Sequence, residues 1–200
     1  MNREDTNIRR LFGKLKGFAE TRELLAAGIH QRDIKRMRDE GQIIRLRKGL
    51  YRPADIPLVS NQGFVDLAHA APEGVICLLS ALSYYDLTTH NPSIIAMAIR
   101  RGSREPRIEH PPVEFYRFSK EQFEAGVNQV KIGESRVRIY YPEKTICDCF
   151  RYRGKLGLDI AKEGLAEYLK RRNRNLEKLL EYADICRVKP LLKTWLDAMV

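Results

Sequence analysis

The sequence predicts an α+β protein in two parts: a small helical domain ending in a β-hairpin, and a larger domain with a mixed sheet and C-terminal helices. Three observations predict it. Helical patterns and one alternating hairpin fill the first 53 residues. A stretch rich in proline, serine and glycine follows, with Pro53, Pro57, Ser60, Asn61 and Gly63. Beyond it, strand patterns cluster in the middle of the chain and helical patterns at its end. The boundary is placed at residues 57 and 58, giving parts 1–57 and 58–200.

The first part opens with a helix over Asn7–Lys16, in which Ile8, Leu11, Phe12 and Leu15 share a face. Gly17 ends it. Thr21 is the expected cap of a second helix to Ala27, with Glu23 in its first turn. Gly28-Ile29 makes a tight turn, and His30 occupies the capping position of a third helix. In that helix Ile34 and Met37 face inward, while Gln31, Arg32, Lys35 and Arg36 point away. Gly41 suits a left-handed helix stop. Ile44 and Leu46 then alternate with Arg45 and Arg47, the period of a half-buried strand. Lys48-Gly49 turns the chain, and Leu50-Tyr51-Arg52 returns until Pro53. Helix, helix, turn, helix, hairpin is the order of a winged helix-turn-helix.

In the second part, helices are expected at 62–70 and 78–87. Strands are expected at 94–100, 113–118, 127–132 and 136–141, with a short apolar run at 74–77. Ser119 begins a capping box, and Pro142 opens a helix from its first turn. Residues 101–112, with three prolines, read as a loop. Three helices close the chain, near 158–171, 175–187 and 190–199.

Of 200 residues, 36 are Lys or Arg and 26 Asp or Glu, a formal charge of +10. Residues 1–60 carry +6 of it, so the basic density peaks in the predicted winged helix. This favours an anionic partner, with double-stranded DNA first. No window approaches the ~18 apolar residues of a spanning helix, so no membrane role is expected. The four cysteines, with no secretory leader before them, read as reduced thiols of a cytoplasmic protein.

A major-groove helix reads bases through its N-terminal half, where arginine pairs with guanine and glutamine with adenine. Gln31, Arg32, Lys35 and Arg36 are the base-reading candidates. Arg45, Arg47, Lys48 and Arg52 on the hairpin are candidates for phosphate or minor-groove contact. Lys170, Arg171, Arg172 and Arg174 form a second basic run. Ile34, Met37, Ile44, Leu46 and Leu50 are expected core.

No catalytic constellation, metal site or cofactor motif is expected. Cys147 and Cys149 would point apart on a helix, with no second ligand pair to complete a zinc site. No two aspartates stand two apart, as metal-dependent nucleotidyl transfer would need. Glu143-Lys144 is similar to the end of a nuclease motif, but no acidic residue lies on the strand before it. There is no P-loop and no dinucleotide fingerprint.

Four stretches together resemble the AbiEi family, the antitoxins of type IV toxin–antitoxin (abortive infection) systems. They are Gly28–Arg36, Gly41–Tyr51, Gly74–Leu82 and Tyr140–Asp148. The resemblance implies that the winged helix represses its own operon by binding inverted repeats, in a phage-defence setting. It implies that the larger domain is an antitoxin against a nucleotidyltransferase-like toxin, a functional partner without need of a stable complex. The alternatives are a winged-helix regulator with a ligand-sensing second domain and, behind it, a nuclease.

Overall fold

The computed structural model describes residues 10–15, 17–55 and 59–199. They divide into two compact units. The first holds the described residues up to Pro72, with Pro106–Pro112 and Lys131–Ser135; the second holds Glu73–Glu105, Val113–Val130 and the chain from Arg136. Both sides of the boundary expected at 57 and 58 lie outside the described residues.

The first unit begins with helical residues 10–14 (α1), the described part of the expected first helix. There follow β1 (Ala19–Glu20), α2 (Thr21–Ala26), α3 (Gln31–Asp39), β2 (Ile43–Arg47), β3 (Leu50–Pro53) and α4 (Gln62–Ala70). Both turns flanking α3 have the same chemistry. After α2, Gly28 takes φ +86° and the N–H groups of Gly28 and Ile29 return to the carbonyls of Leu25 and Leu24. After α3, Gly41 takes φ +71° and the N–H groups of Gly41 and Gln42 return to Arg38 and Met37. These are Schellman closures, which need a left-handed residue and so favour glycine. Thr21 is the first residue of α2 and not its cap. Glu20 is the cap, in a capping box with Glu23; the Glu20 N–H donates to Glu23 Oε2 at 2.6 Å.

The strands form a sheet of order β1-β3-β2. Ala19 and Glu20 pair antiparallel with Tyr51 and Leu50. The β2–β3 ladder shifts register between Arg45 and Arg47, which leaves Leu46 as an extra residue. The bulge corrects the expected alternation. Ile43 and Leu46 are buried, whereas Ile44 is half-buried. Phe12, Ala19, Leu24, Ile34, Met37, Ile43 and Tyr51 make the core of this unit. The free edge of β2 is covered as well. Leu46 C=O accepts from the N–H groups of Glu109 and His110, and Arg47 bridges Ile108.

Arg52 lies on the opposite face of the hairpin from Tyr51. It is buried, and its guanidinium donates to the fully buried Asp66 of α4 at 2.9 Å and to Pro53 C=O at 2.9 Å. Gln62 Nε2 donates to the other oxygen of Asp66 at 2.9 Å. Arg52 is thus a core residue and not the expected phosphate contact. The sequence reading allowed the hairpin one covered face; α4 covers the second.

The second unit holds a five-stranded sheet of order β6-β5-β4-β8-β7. Its strands are β4 (Val75–Ile76), β5 (Ile95–Arg100), β6 (Val113–Phe118), β7 (Val127–Ile132) and β8 (Ser135–Tyr140). β5 runs parallel to β6 and β4 parallel to β8, while β4 and β5 are antiparallel, so the sheet is mixed as expected. Seven helices accompany it among the described residues: α5 (Leu78–Tyr84), α6 (Lys120–Glu124), α7 (Pro142–Arg151), α8 (Arg153–Leu156), α9 (Leu158–Leu169), α10 (Leu176–Ile185) and α11 (Lys189–Met199). α7 is the central helix, buried from Glu143 to Phe150. No described helix is long and apolar enough to cross a membrane.

Arg52→Ala strands the Asp66 carboxylate in the core. Breaking one side of a buried pair costs about 3–5 kcal/mol, so urea unfolding of the variant should show a large loss of stability. A fragment ending at residue 57, which lacks Asp66, should not unfold cooperatively, whereas Arg22→Ala at the surface should change little.

Candidate nucleic-acid interface

Two elements of the first unit bring cationic side chains together. α3 buries Ile34 and Met37, and this fixes the opposite side outward: Gln31, Arg32, Lys35 and Arg36 are all exposed. Regular alternation before the bulge in β2 leaves Arg45 on the same face as Ile43 and its cross-strand partner Tyr51, toward α3. Between helix and hairpin lies a cleft of about 530 Å³ lined by Gln31, Lys35, Arg38, Arg45 and Lys48, with Thr21, Ile34, Gly49 and Tyr51. Thr21 N–H donates to Gly49 C=O at 2.9 Å, so the hairpin turn is tied to the start of α2.

The expected residues are therefore partly reunited. Gln31, Lys35, Arg45 and Lys48 share the cleft. Arg32 and Arg36 lie on the exposed side of α3, and Arg36 pairs with Asp33 at 3.6 Å. Arg47 is half-exposed, donates to Lys48 C=O at 3.2 Å and lies 3.6 Å from Glu20. Arg38 was not among the sequence candidates, yet it lines the cleft beside its own partner Asp39 at 2.7 Å. Its one-turn spacing from Lys35 along α3 was the available signal.

Arg45 carries a partner that sequence distance concealed. Its Nε donates to Glu109 Oε2 at 2.6 Å, from the segment that covers the edge of β2. The hydrogen bond to Glu109, opposed by partial burial, raises the Arg45 pKa further. An acidic group thus sits at the rim of a basic cleft.

The second basic run is tied into its own surroundings. Lys170 pairs with Glu167 at 2.6 Å, Arg171 donates to Tyr85 C=O, and Arg174 donates to Arg171 C=O at 3.1 Å. Among the described residues Arg172 alone of the four stands exposed with no partner. Glu143 and Lys144 lie inside the second unit. Glu143 accepts from Tyr168 Oη at 2.6 Å, and Lys144 Nζ lies 2.7 Å from both oxygens of Asp148. Lys144 also sits over the rings of Tyr140 and Phe118, at 4.4 and 4.9 Å. Cys147 and Cys149 are buried on α7, and desolvation pushes both thiols well up. Among the described residues no three His, Cys, Asp or Glu side chains gather as a metal-binding group.

Residues 8–54 match the family described as "Transcriptional regulator, AbiEi antitoxin". The match falls on the part of the chain that holds the first two stretches of the sequence resemblance. A crystal structure of the RV2827C protein from Mycobacterium tuberculosis shares the fold with a TM-score of 0.55 at 14% identity, over 96% of this chain and 81% of that one. No curated protein matches the chain.

Glu109→Gln removes the charge that holds Arg45 but keeps a group of the same size. Exposed pairs of this kind are worth about 0–1 kcal/mol, so affinity for a polyanion such as heparin should rise roughly twofold to fivefold at low salt. The gain should fade as salt rises. Weaker binding of the variant would mean that Glu109 orients Arg45 for the anion.

Proposed function

We propose that this chain is a transcriptional repressor and antitoxin that binds its own promoter DNA through α3 and the β2–β3 hairpin. The observation that carries this reading is the cleft between those two elements, whose lining includes Lys35, Arg38, Arg45 and Lys48 within the segment matched to AbiEi regulators. α3 enters the major groove with Gln31, Arg32, Lys35 and Arg36 toward base edges. Lys48 and Arg47 meet the phosphates, and Arg45 does so once Glu109 yields. Two copies on inverted repeats read an operator whose half-sites lie about one helical turn apart. The second unit acts against a nucleotidyltransferase-like toxin without a lasting complex, in the phage-defence setting of the resembled family.

The test is a gel shift on the DNA upstream of the gene. Arg36→Ala should lose discrimination between operator and random DNA by about 1–3 kcal/mol, while Arg47→Ala should weaken both alike and lower the salt slope of log K by about 0.9. Equal loss on both DNAs for Arg36→Ala would remove its base-reading role. Co-expression with a neighbouring toxin separates the two activities. An Arg32→Ala/Lys35→Ala protein should lose repression yet still restore growth, and failure of the wild-type chain to restore growth would end the antitoxin reading.

A further inference from the structure

One exposed cationic surface of the second unit is the turn at the end of β5. Residues 100–105 read Arg-Arg-Gly-Ser-Arg-Glu, and all six are exposed. The backbone there is held firmly. Arg101 N–H donates to Phe118 C=O at 2.7 Å, and Ser103 N–H donates to Arg100 C=O at 3.0 Å. Gly102 takes φ +89° at the bend.

Arg117 of β6 braces the turn from the side. Its Nη1 donates to Ser103 C=O at 2.9 Å and its Nη2 to Glu105 Oε2 at 3.2 Å. Tyr152 Oη in turn donates to Arg117 C=O at 3.3 Å. The one carboxylate of the turn is thereby occupied. Among the described residues the side chains of Arg100, Arg101 and Arg104 have neither a hydrogen-bond nor an ion-pair partner, in contrast to Arg45, Arg47, Lys170 and Arg171.

We infer that this turn is a second nucleic-acid contact, in which Arg100, Arg101 and Arg104 bind backbone phosphates. It rests on the reading of the chain as a DNA-binding protein, but uses residues of the other unit. Guanidinium groups suit phosphate oxygens, which they can bind in bidentate fashion. A pre-formed turn loses little freedom on binding. The six residues offer no apolar side chain. A membrane-surface site would need one to enter the bilayer boundary, and the centre of a protein interface is depleted of charge. Phosphate binding driven by counterion release needs charge alone. The contact carries no sequence information. It adds affinity and salt dependence to whatever the first unit reads.

The experiment compares the full-length protein with its Arg100→Ala/Arg101→Ala/Arg104→Ala and all-lysine counterparts on random-sequence duplex, by anisotropy between about 50 and 200 mM salt. Each lost phosphate contact lowers the slope of log K against log salt by about 0.9, so the alanine protein should lose 2–3 of it. The lysine protein should keep the slope, which separates lost charge from lost folding. An alanine protein with the wild-type slope overturns the inference. So does a loss seen only on phosphatidylserine vesicles. Lys35→Ala, measured alongside, tells this failure from that of the winged helix. If Lys35→Ala weakens binding and the turn variant does not, the first unit acts alone. If neither full-length variant differs because the wild type does not bind DNA, both readings fall.

Discussion

The buried pairing of Arg52 with Asp66 is the constraint on which the first unit depends. A guanidinium and a carboxylate placed out of water need each other, and every remaining polar atom must also find a partner. Here Pro53 C=O and Gln62 supply those partners. The consequence is architectural. The pair joins the return strand of the hairpin to α4, so the strand carries no solvent face. With one face fixed under α4 and the other under α3, the register of β2 and β3 cannot slip by one residue without exposing half its core. The bulge at Leu46 lets both Ile43 and Leu46 be buried in so short a strand, while plain alternation keeps Arg45 on the side of Ile43, which α3 lines.

The second unit meets the same constraint in a different way. α7 is buried all round, so its polar residues cannot turn outward. Lys144 and Asp148 are one helical turn apart and neutralise each other, with two aromatic rings beside the ammonium. Glu143 is held by Tyr168, whose oxygen also accepts the N–H of Asn175 at 2.6 Å. Gly126 belongs to this arrangement. A Cβ there would stand 2.8 Å from Lys144 Cβ, so the backbone passes close against the stem of that lysine. Glu143, Lys144 and Asp148 are thus each committed to a partner within the fold.

Much of the fold was legible because periodicity reports burial. The alternation of Val137, Ile139 and the serial apolar faces of α9, α10 and α11 gave those elements nearly to the residue. What stayed hidden had no period to show. β1 is two residues long, too short to alternate, and is recognisable only from its pairing with Tyr51 and Leu50. Its second residue, Glu20, displaced Thr21 as the helix cap, since a chain already extended by strand pairing enters α2 one residue earlier. Arg52 looked like its neighbours Arg45 and Arg47, because composition does not record which face a second helix covers. Asp66 inside Phe64-Val65-Asp66-Leu67 was the sign that such a partner was needed. Of the cleft, α3 contributed what its helical spacing announced, whereas the contact of Glu109 with Arg45 follows no local pattern.

The distribution of carboxylates then becomes the informative feature of a basic protein. Around α3 and the hairpin, Asp33, Asp39, Glu20 and Glu109 each stand against an arginine. Such pairs contribute little to stability at an exposed surface, but a phosphate must compete with each of them. Competition of this kind weakens attachment to any anion and leaves discrimination to contacts that only the right surface completes, which is how specificity is gained at the expense of raw affinity. The turn at 100–104 has no such competitors. On the proposed reading, a surface that chooses and a surface that merely holds differ here in their acidic residues more than in their basic ones. Net charge, which counts both surfaces alike, could not have told them apart.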